Sequence, residues 1–216
     1  MAKLKSSKRE YNSSRRQAQA SETRRRILEA AHRLFVERGY AGATAEAIAA
    51  EAGVALQTIY AIFKNKKKIL VSLMNVSPTT GAEDHTPLSE QPRVQAVSQE
   101  QDQRRQLQMF AQVVADNLGQ VAEVFEIMVD AARIEPDLDR IIQKLNRQRL
   151  EHMTFAVQQI LANGPFRENM DEAYATDIVW TLTSGEVFLL LTRERGWSKE
   201  AYAQWLADAL TRLLSR

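Results

Sequence analysis

The chain has 216 residues, 44% of them hydrophobic, 26% charged and none of them cysteine. It has room for one or two domains with a sizeable core, and no means of building a disulfide, a thiolate metal site or a cysteine nucleophile. No stretch holds the roughly 20 uninterrupted apolar residues of a membrane span, and no apolar run follows the charged start as in a secretory signal, so a cytoplasmic protein without a membrane partner is expected.

The net charge of +2 is unevenly spread. Residues 1–70 carry 15 Lys and Arg against 6 Asp and Glu, whereas residues 71–216 carry 14 against 21. A basic first third on an acidic remainder predicts that one end of the chain meets a polyanion.

Residues 1–20 are rich in Lys, Arg, Ser and Gln, and their composition predicts a disordered basic arm. A helix is expected from Ser21, its cap, with Ile27, Ala30, Ala31, Leu34 and Phe35 as an apolar stripe and Gly39 in the left-handed position that ends it. Thr44 then caps a second helix, Ala45 to Ala52, which Gly53 stops. A third runs from about Ala55 to Phe63, and a fourth opens near Asn65 or Lys66. Together residues 21–73 form one domain.

Residues 74–92 contain Pro78, Gly81, Pro87 and Pro92 among polar neighbours, the composition of a mobile linker rather than one helix. From residue 93 to 216 the periodicity is helical throughout. Stripes from Leu107 to Leu118 and from Val121 to Ala132 end at Pro136. Asp137 to Ala162 follows, closed by Asn163, Gly164 and Pro165. Asp171 to Glu194 reads as one long helix, and Ser198 caps the last. No alternation with period two persists, so the fold class is all-α.

The most informative segment is Ile48 to Phe63. Two short helices crossing steeply need a small residue at their contact, a residue tolerant of positive φ in the turn, and apolar residues pinning both to a core. Ile48, Ala49, Ala52, Gly53, Val54, Ile59 and Ile62 meet that pattern. With Ile59 and Ile62 inside, Leu56, Gln57, Tyr60, Ala61 and Lys64 face outward. A helix of this size fits the major groove of double-stranded DNA. Gln57, in its first turn, can bond both N6 and N7 of adenine. Leu56 and Ala61 suit thymine methyls, and Thr58, Tyr60 and Thr44 suit phosphates.

Thr44, Ile48-Ala49, Ala52-Gly53-Val54, Thr58-Ile59-Tyr60, Phe63, Lys66 and Leu70 resemble the N-terminal domain of the TetR family of bacterial regulators. The resemblance implies a helix-turn-helix reading head, a larger helical-bundle domain for dimerisation and ligand binding, and a homodimer formed through the last two long helices. By matching position it implies DNA contacts from Thr44, Gln57, Thr58, Tyr60 and Lys66. Two positions depart from the pattern: Ala55 stands where a capping Ser or Thr is common, and Ile62 where a second aromatic is common.

The resemblance also implies a small-molecule effector, with Phe110, Phe125, Met128 and Trp180 as lining and Asp130, Arg133 and His152 as polar contacts. The apolar surfaces of Ala175 to Leu191 and Tyr202 to Leu213, with Ser184 and Gly185 allowing close approach, are expected to form the dimer seam. The function expected is a repressor released from a palindromic operator by that effector. The alternative is a helix-turn-helix regulator controlled by a protein partner or by abundance. His32, His85 and His152 are scattered, and no metal-ligand spacing, phosphate-cradling Gly loop or nucleophile motif is present. No catalytic residue, metal or cofactor is therefore assigned.

Overall fold

The structure, a computed structural model, describes the backbone of residues 3–75 and 90–215 and the side chains of residue 16 and of 18–75 and 90–215. The chain divides into two compact units, Met1–Asp84 and His85–Arg216.

In the first unit, α1 spans Lys3–Gly42, α2 Ala45–Ala52, α3 Leu56–Phe63 and α4 Lys66–Leu73. The first helix differs from expectation at its start. It runs unbroken from Lys3 through Ser21, so residues 3–20 are helical rather than a disordered arm and Ser21 is no cap. The reason is compositional: residues 3–20 contain no Gly or Pro and many good helix formers. Ile27, Ala30, Ala31, Leu34 and Phe35 are all buried, as their spacing predicts. Gly39 bends the helix with φ 66° and ψ 176°. This is positive φ, but not the left-handed helical conformation expected there; it is a region essentially restricted to glycine.

The boundaries of α2 follow the predicted chemistry. Thr44 Oγ1 accepts a hydrogen bond from Ala47 N at 3.1 Å, and Gly53 terminates the helix with φ 63° and ψ 40°. The third helix begins without a side-chain cap at Ala55, and Asn65 Oδ1 caps the fourth by accepting from Lys68 N at 2.9 Å. Ile48, Ala49, Ala52, Ile59, Phe63, Ile69 and Leu70 join the stripe of α1 in one small core.

Of the linker expected over 74–92, residues 76–89 lie outside the described residues. In the second unit, α5 spans Pro92–Gln99, α6 Gln103–Ala132, α7 Asp137–Ala162, α8 Glu172–Leu182, α9 Gly185–Leu189 and α10 Lys199–Leu214, with one π-helical turn at Leu190–Glu194. The two predicted stripes of 107–132 are one continuous helix, and α7 has the predicted bounds. The helix expected from Asp171 to Glu194 is instead interrupted at Thr183 and Ser184. Thr183 Oγ1 donates to Val179 O at 2.7 Å, and Ser184 Oγ accepts from Val187 N at 3.2 Å to start a new helix. Such short polar side chains offer the backbone alternatives to helix continuation.

The core of this unit brings Leu107, Phe110 and Val114 of α6 together with Val157 and Ile160 of α7, Val179 of α8, Phe188 of α9 and Leu206 and Leu210 of α10. Helix α10 lies along α6. Among the described residues no single helix is long and apolar enough to cross a membrane, and the only β-type pairing is an isolated bridge between Phe166 and Ser215.

Candidate nucleic-acid interface and ligand-domain interior

Between α2 and α3 the chain turns by 106°, within the range of a helix-turn-helix. The turn is braced by a residue that the spacing argument did not single out. Arg26 of α1 donates through Nη2 to the carbonyl of Ala52 and, at 3.4 Å, to that of Gly53. A Cβ on Gly53 would lie 2.7 Å from that same Nη2. Gly53 therefore serves two needs, the positive φ of the turn and the close approach of the guanidinium that holds it.

The far end of α3 is fixed by a second turn. Asn65 N donates to Phe63 O at 2.8 Å across Lys64, which has φ 66° and ψ −42°. This is a γ-turn of the rare, strained kind, and a lysine occupies its centre. The aromatic ring of Phe63, buried beneath it, is covered by the Arg24 guanidinium 4.1 Å from the ring centroid. Lys66 is similarly drawn inward: Nζ donates to Tyr40 O at 2.6 Å and sits 4.1 Å from the centroid of the Tyr40 ring.

These contacts sort the predicted DNA-facing residues. Gln57, Tyr60 and Ala61 are exposed on α3, Lys64 is exposed just after it, and Thr44 is exposed at the start of α2. Leu56 and Thr58 are half-buried, as is Ile62, which the spacing had placed inside. Lys66 is tied to Tyr40, so its ammonium fixes the end of α1 to the start of α4. Arg24 and Arg26 were missed because, in sequence, they look like any members of a basic run.

In the second unit the predicted ligand residues separate. Phe110 is buried in the main core and Trp180 packs against it; Met128 is buried and Phe125 half-buried along α6. Asp130, Arg133 and His152 are exposed. His152 precedes the buried Met153 on a helix that turns roughly 100° per residue, so it faces outward where Met153 faces in. The aromatic and polar parts of the expected set do not converge.

A different polar residue enters the interior. Arg149 lies one turn from Leu145 and one from Met153 on α7, which aims it at the end of α8. Its Nη2 donates to Trp180 O and, at 3.2 Å, to Thr183 Oγ1. Its guanidinium lies 3.8 Å from the centroid of the Trp180 ring. Burial holds its proton affinity below the usual arginine value, against the weaker opposing influence of the Glu186 carboxylate. Beside it Tyr202 donates to Leu182 O at 2.9 Å, and burial pushes the Tyr202 hydroxyl pKa upward. The i, i+4 relation of Arg149 to apolar positions was the available signal, hidden in a polar stretch.

Among the described residues no group of three or more His, Cys, Asp and Glu could hold a metal ion.

Residues 27–73 match the family described as bacterial regulatory proteins, tetR family. A search of curated proteins finds no significant match. Similar solved structures include a protein from Saccharomonospora viridis described as a transcriptional regulator, in complex with choline, at 23% identity, 91% of this chain, 99% of that one and a TM-score of 0.66. NalD of Pseudomonas aeruginosa, the secondary repressor of the MexAB-OprM multidrug efflux pump, is 22% identical over 92% of this chain and 98% of its own, with a TM-score of 0.62. FadR of Bacillus subtilis in complex with stearoyl-CoA is 20% identical over 86% and 96%, with a TM-score of 0.60. At these identities the structures speak to the fold, while the match over residues 27–73 covers the helix-turn-helix itself. Residues 27–73 thus match the N-terminal segment of bacterial regulatory proteins of the tetR family, and the chain shares the fold of these solved regulators.

Proposed function

We propose that the protein is a repressor that binds a palindromic operator as a homodimer and leaves it when a small molecule occupies the second unit. The observation that carries this reading is the exposed face of α3. Gln57, Tyr60 and Ala61 point outward from a helix whose other side is buried, and Lys64 is exposed directly after it. A helix about 10–12 Å across with its side chains fits a major groove about 12 Å wide. Gln57 in its first turn reads adenine. Tyr60 and Thr44 hold phosphates with their hydroxyls, Lys64 neutralises one, and Ala61 and the edge of Leu56 meet thymine methyls. Thr58 and Lys66 act at the margin of the contact, Lys66 chiefly by holding the end of α1 at Tyr40 in place.

One such helix reads only a few base pairs, so two copies are required for a useful site. Burial within the protomer bears on where the seam lies. Tyr202, Ala203, Leu206, Ala207, Leu210 and Leu214 of α10 are buried within their own chain, and Gly185 packs on Ala122 of α6, where a Cβ would sit 3.6 Å from the Ala122 Cβ. These residues are spent inside the protomer, while Leu190 and Leu213 nearby stay exposed. The exposed apolar residues of α7 and α8, Leu150, Leu161 and Tyr174, suit a twofold seam better.

Effector control is supported by the bound ligands of proteins with the same fold, stearoyl-CoA and choline among them. A ligand that prefers one of two conformations shifts DNA affinity by that preference.

Selection of bound duplexes from a random pool tests the reading. The expected product is a palindrome with fixed half-site spacing. Gln57→Ala should weaken binding by about 1–3 kcal/mol and relax preference at one position per half-site. Enrichment of no sequence, or enrichment unchanged by Gln57→Ala, would overturn it.

A further inference from the structure

We propose that Arg149 anchors the carboxylate of a small organic acid, with the apolar body of that ligand lying against Trp180 and Met153. The inference rests on the effector-binding reading above and names the chemical class of the effector. A guanidinium has five N–H donors. Trp180 O and Thr183 Oγ1 both take theirs from Nη2, so the N–H groups of Nε and Nη1 have no protein acceptor among the described residues and are open to solvent or to a ligand. No ion pair joins Arg149 to a carboxylate there; the nearest influence is the exposed Glu186, which acts only through its field.

Holding a half-buried cation without a counter-ion is unfavourable, and a neutral glutamine could serve the same carbonyl and hydroxyl. The charge is accounted for if an anion completes it. A single guanidinium matches a monoanion in charge and in planar shape, whereas a phosphate ester would call for more than one cation. The surroundings fit an amphiphile. The Trp180 ring stacks on the guanidinium, and Thr183 Oγ1 lies 3.4 Å from the Met153 sulfur. Met153, Val179 and Phe188 continue into the apolar core. The break between α8 and α9 occurs at Thr183, so an anion that recruits the guanidinium competes with the bonds that hold the end of α8.

The test uses the full chain without DNA. Acetate, octanoate, palmitate and benzoate are titrated by calorimetry and thermal shift, each beside its primary amide, with choline and octyl phosphate as further probes. The expected result is that at least one carboxylate binds about tenfold or more tightly than its amide. Arg149→Gln, which preserves a donor for Trp180 O, should erase that preference with little change in melting temperature. Glu186→Gln should leave the fold intact and strengthen carboxylate binding several-fold by removing a competing charge.

The proposal is overturned if no carboxylate outbinds its amide, if octyl phosphate or choline is the preferred probe, or if Arg149→Gln keeps the preference. These failures are separable from failure of the repressor reading. Release of a selected palindrome by a neutral compound leaves that reading standing and sinks this one. Failure to select any DNA sinks that reading while the carboxylate titration still decides this one.

Discussion

Lys64 carries two demands that pull against each other. Its φ of 66° and ψ of −42° place an L-residue in a strained γ-turn, a conformation that disfavours the folded state by about 1–3 kcal/mol. Yet the position directly follows α3, where a cation meets the phosphate backbone beside the reading helix. Glycine would relieve the strain, offset by about 0.5–1 kcal/mol for its freer unfolded chain. Lys64→Gly is therefore expected to stabilise the first unit by roughly 1 kcal/mol and to weaken DNA binding. The slope of log affinity against log salt should fall by about 1. Thermal unfolding and salt titrations check the two signs together. A variant that loses stability while keeping its salt slope would show that the backbone at Lys64 is neither strained nor near a phosphate.

At the scale of elements, the α2–α3 angle depends on an arginine and a glycine that share one space. Gly53→Ala places a Cβ at positive φ, at about 1–2 kcal/mol, and displaces Arg26 from the Ala52 carbonyl. Arg26→Met removes the brace by itself. The double variant should be less destabilised than the sum of the two, because the steric part of the glycine substitution disappears with the guanidinium; urea unfolding of the four proteins measures the difference.

In the second unit two ion pairs tie α6 to later elements: Lys199 Nζ to Asp116 at 2.7 Å and Arg193 Nη1 to Glu126 at 2.6 Å. Burial alone would push the Asp116 carboxyl up, but hydrogen bonds from Lys199 and Gln112 outweigh it and hold it below its usual range. The Arg193 hydrogen bond does the same for Glu126. A carboxylate held below its unfolded value stabilises the fold at neutral pH, and that share is lost as pH falls through the acid range. Both pairs are largely solvent-accessible, so each is worth about 0.2–1 kcal/mol. Asp116→Asn should lower stability at pH 7 by that amount and have no effect near pH 2, in melts across pH.

The elements themselves were legible where local chemistry decides: Thr44, Gly53 and Ser198 mark helix ends because caps and positive φ are local demands. The break at Thr183 was not, since Ser184 and Gly185 were read as packing aids and Thr183 was not singled out as a competitor for backbone bonds. Nor was Arg149, whose inward aim follows from the phase of a helix that is polar on most of its surface.

At the scale of the whole molecule, the charge asymmetry and the apolar periodicity were both visible in the sequence, but only the first indicated its own use. The basic share lies in the unit that contains the reading head, although Arg24, Arg26 and Lys66 are engaged in holding that head together. Apolar periodicity could not say which helices turn toward a second copy, because a stripe that faces its own core and one that faces a partner have the same spacing. Exposure in the protomer is the further criterion behind the proposed seam. Leu150 and Leu161 of α7 are eleven residues apart, close to three helical turns, and both are exposed together with Tyr174 of α8. A charge introduced at each of Leu150 and Tyr174, as in Leu150→Asp with Tyr174→Asp, should prevent a desolvated twofold seam from forming while leaving the protomer core untouched. Sedimentation should then show a monomer, and affinity for the palindrome should fall by about 10²–10⁴-fold as the linked half-sites become independent. Leu213→Asp on α10 supplies the contrast. It alters a partly exposed residue of the helix first expected at the seam, and it should leave both the dimer and the palindrome affinity unchanged. If Leu213→Asp dissociates the dimer and the α7–α8 pair does not, the seam lies on α10 after all.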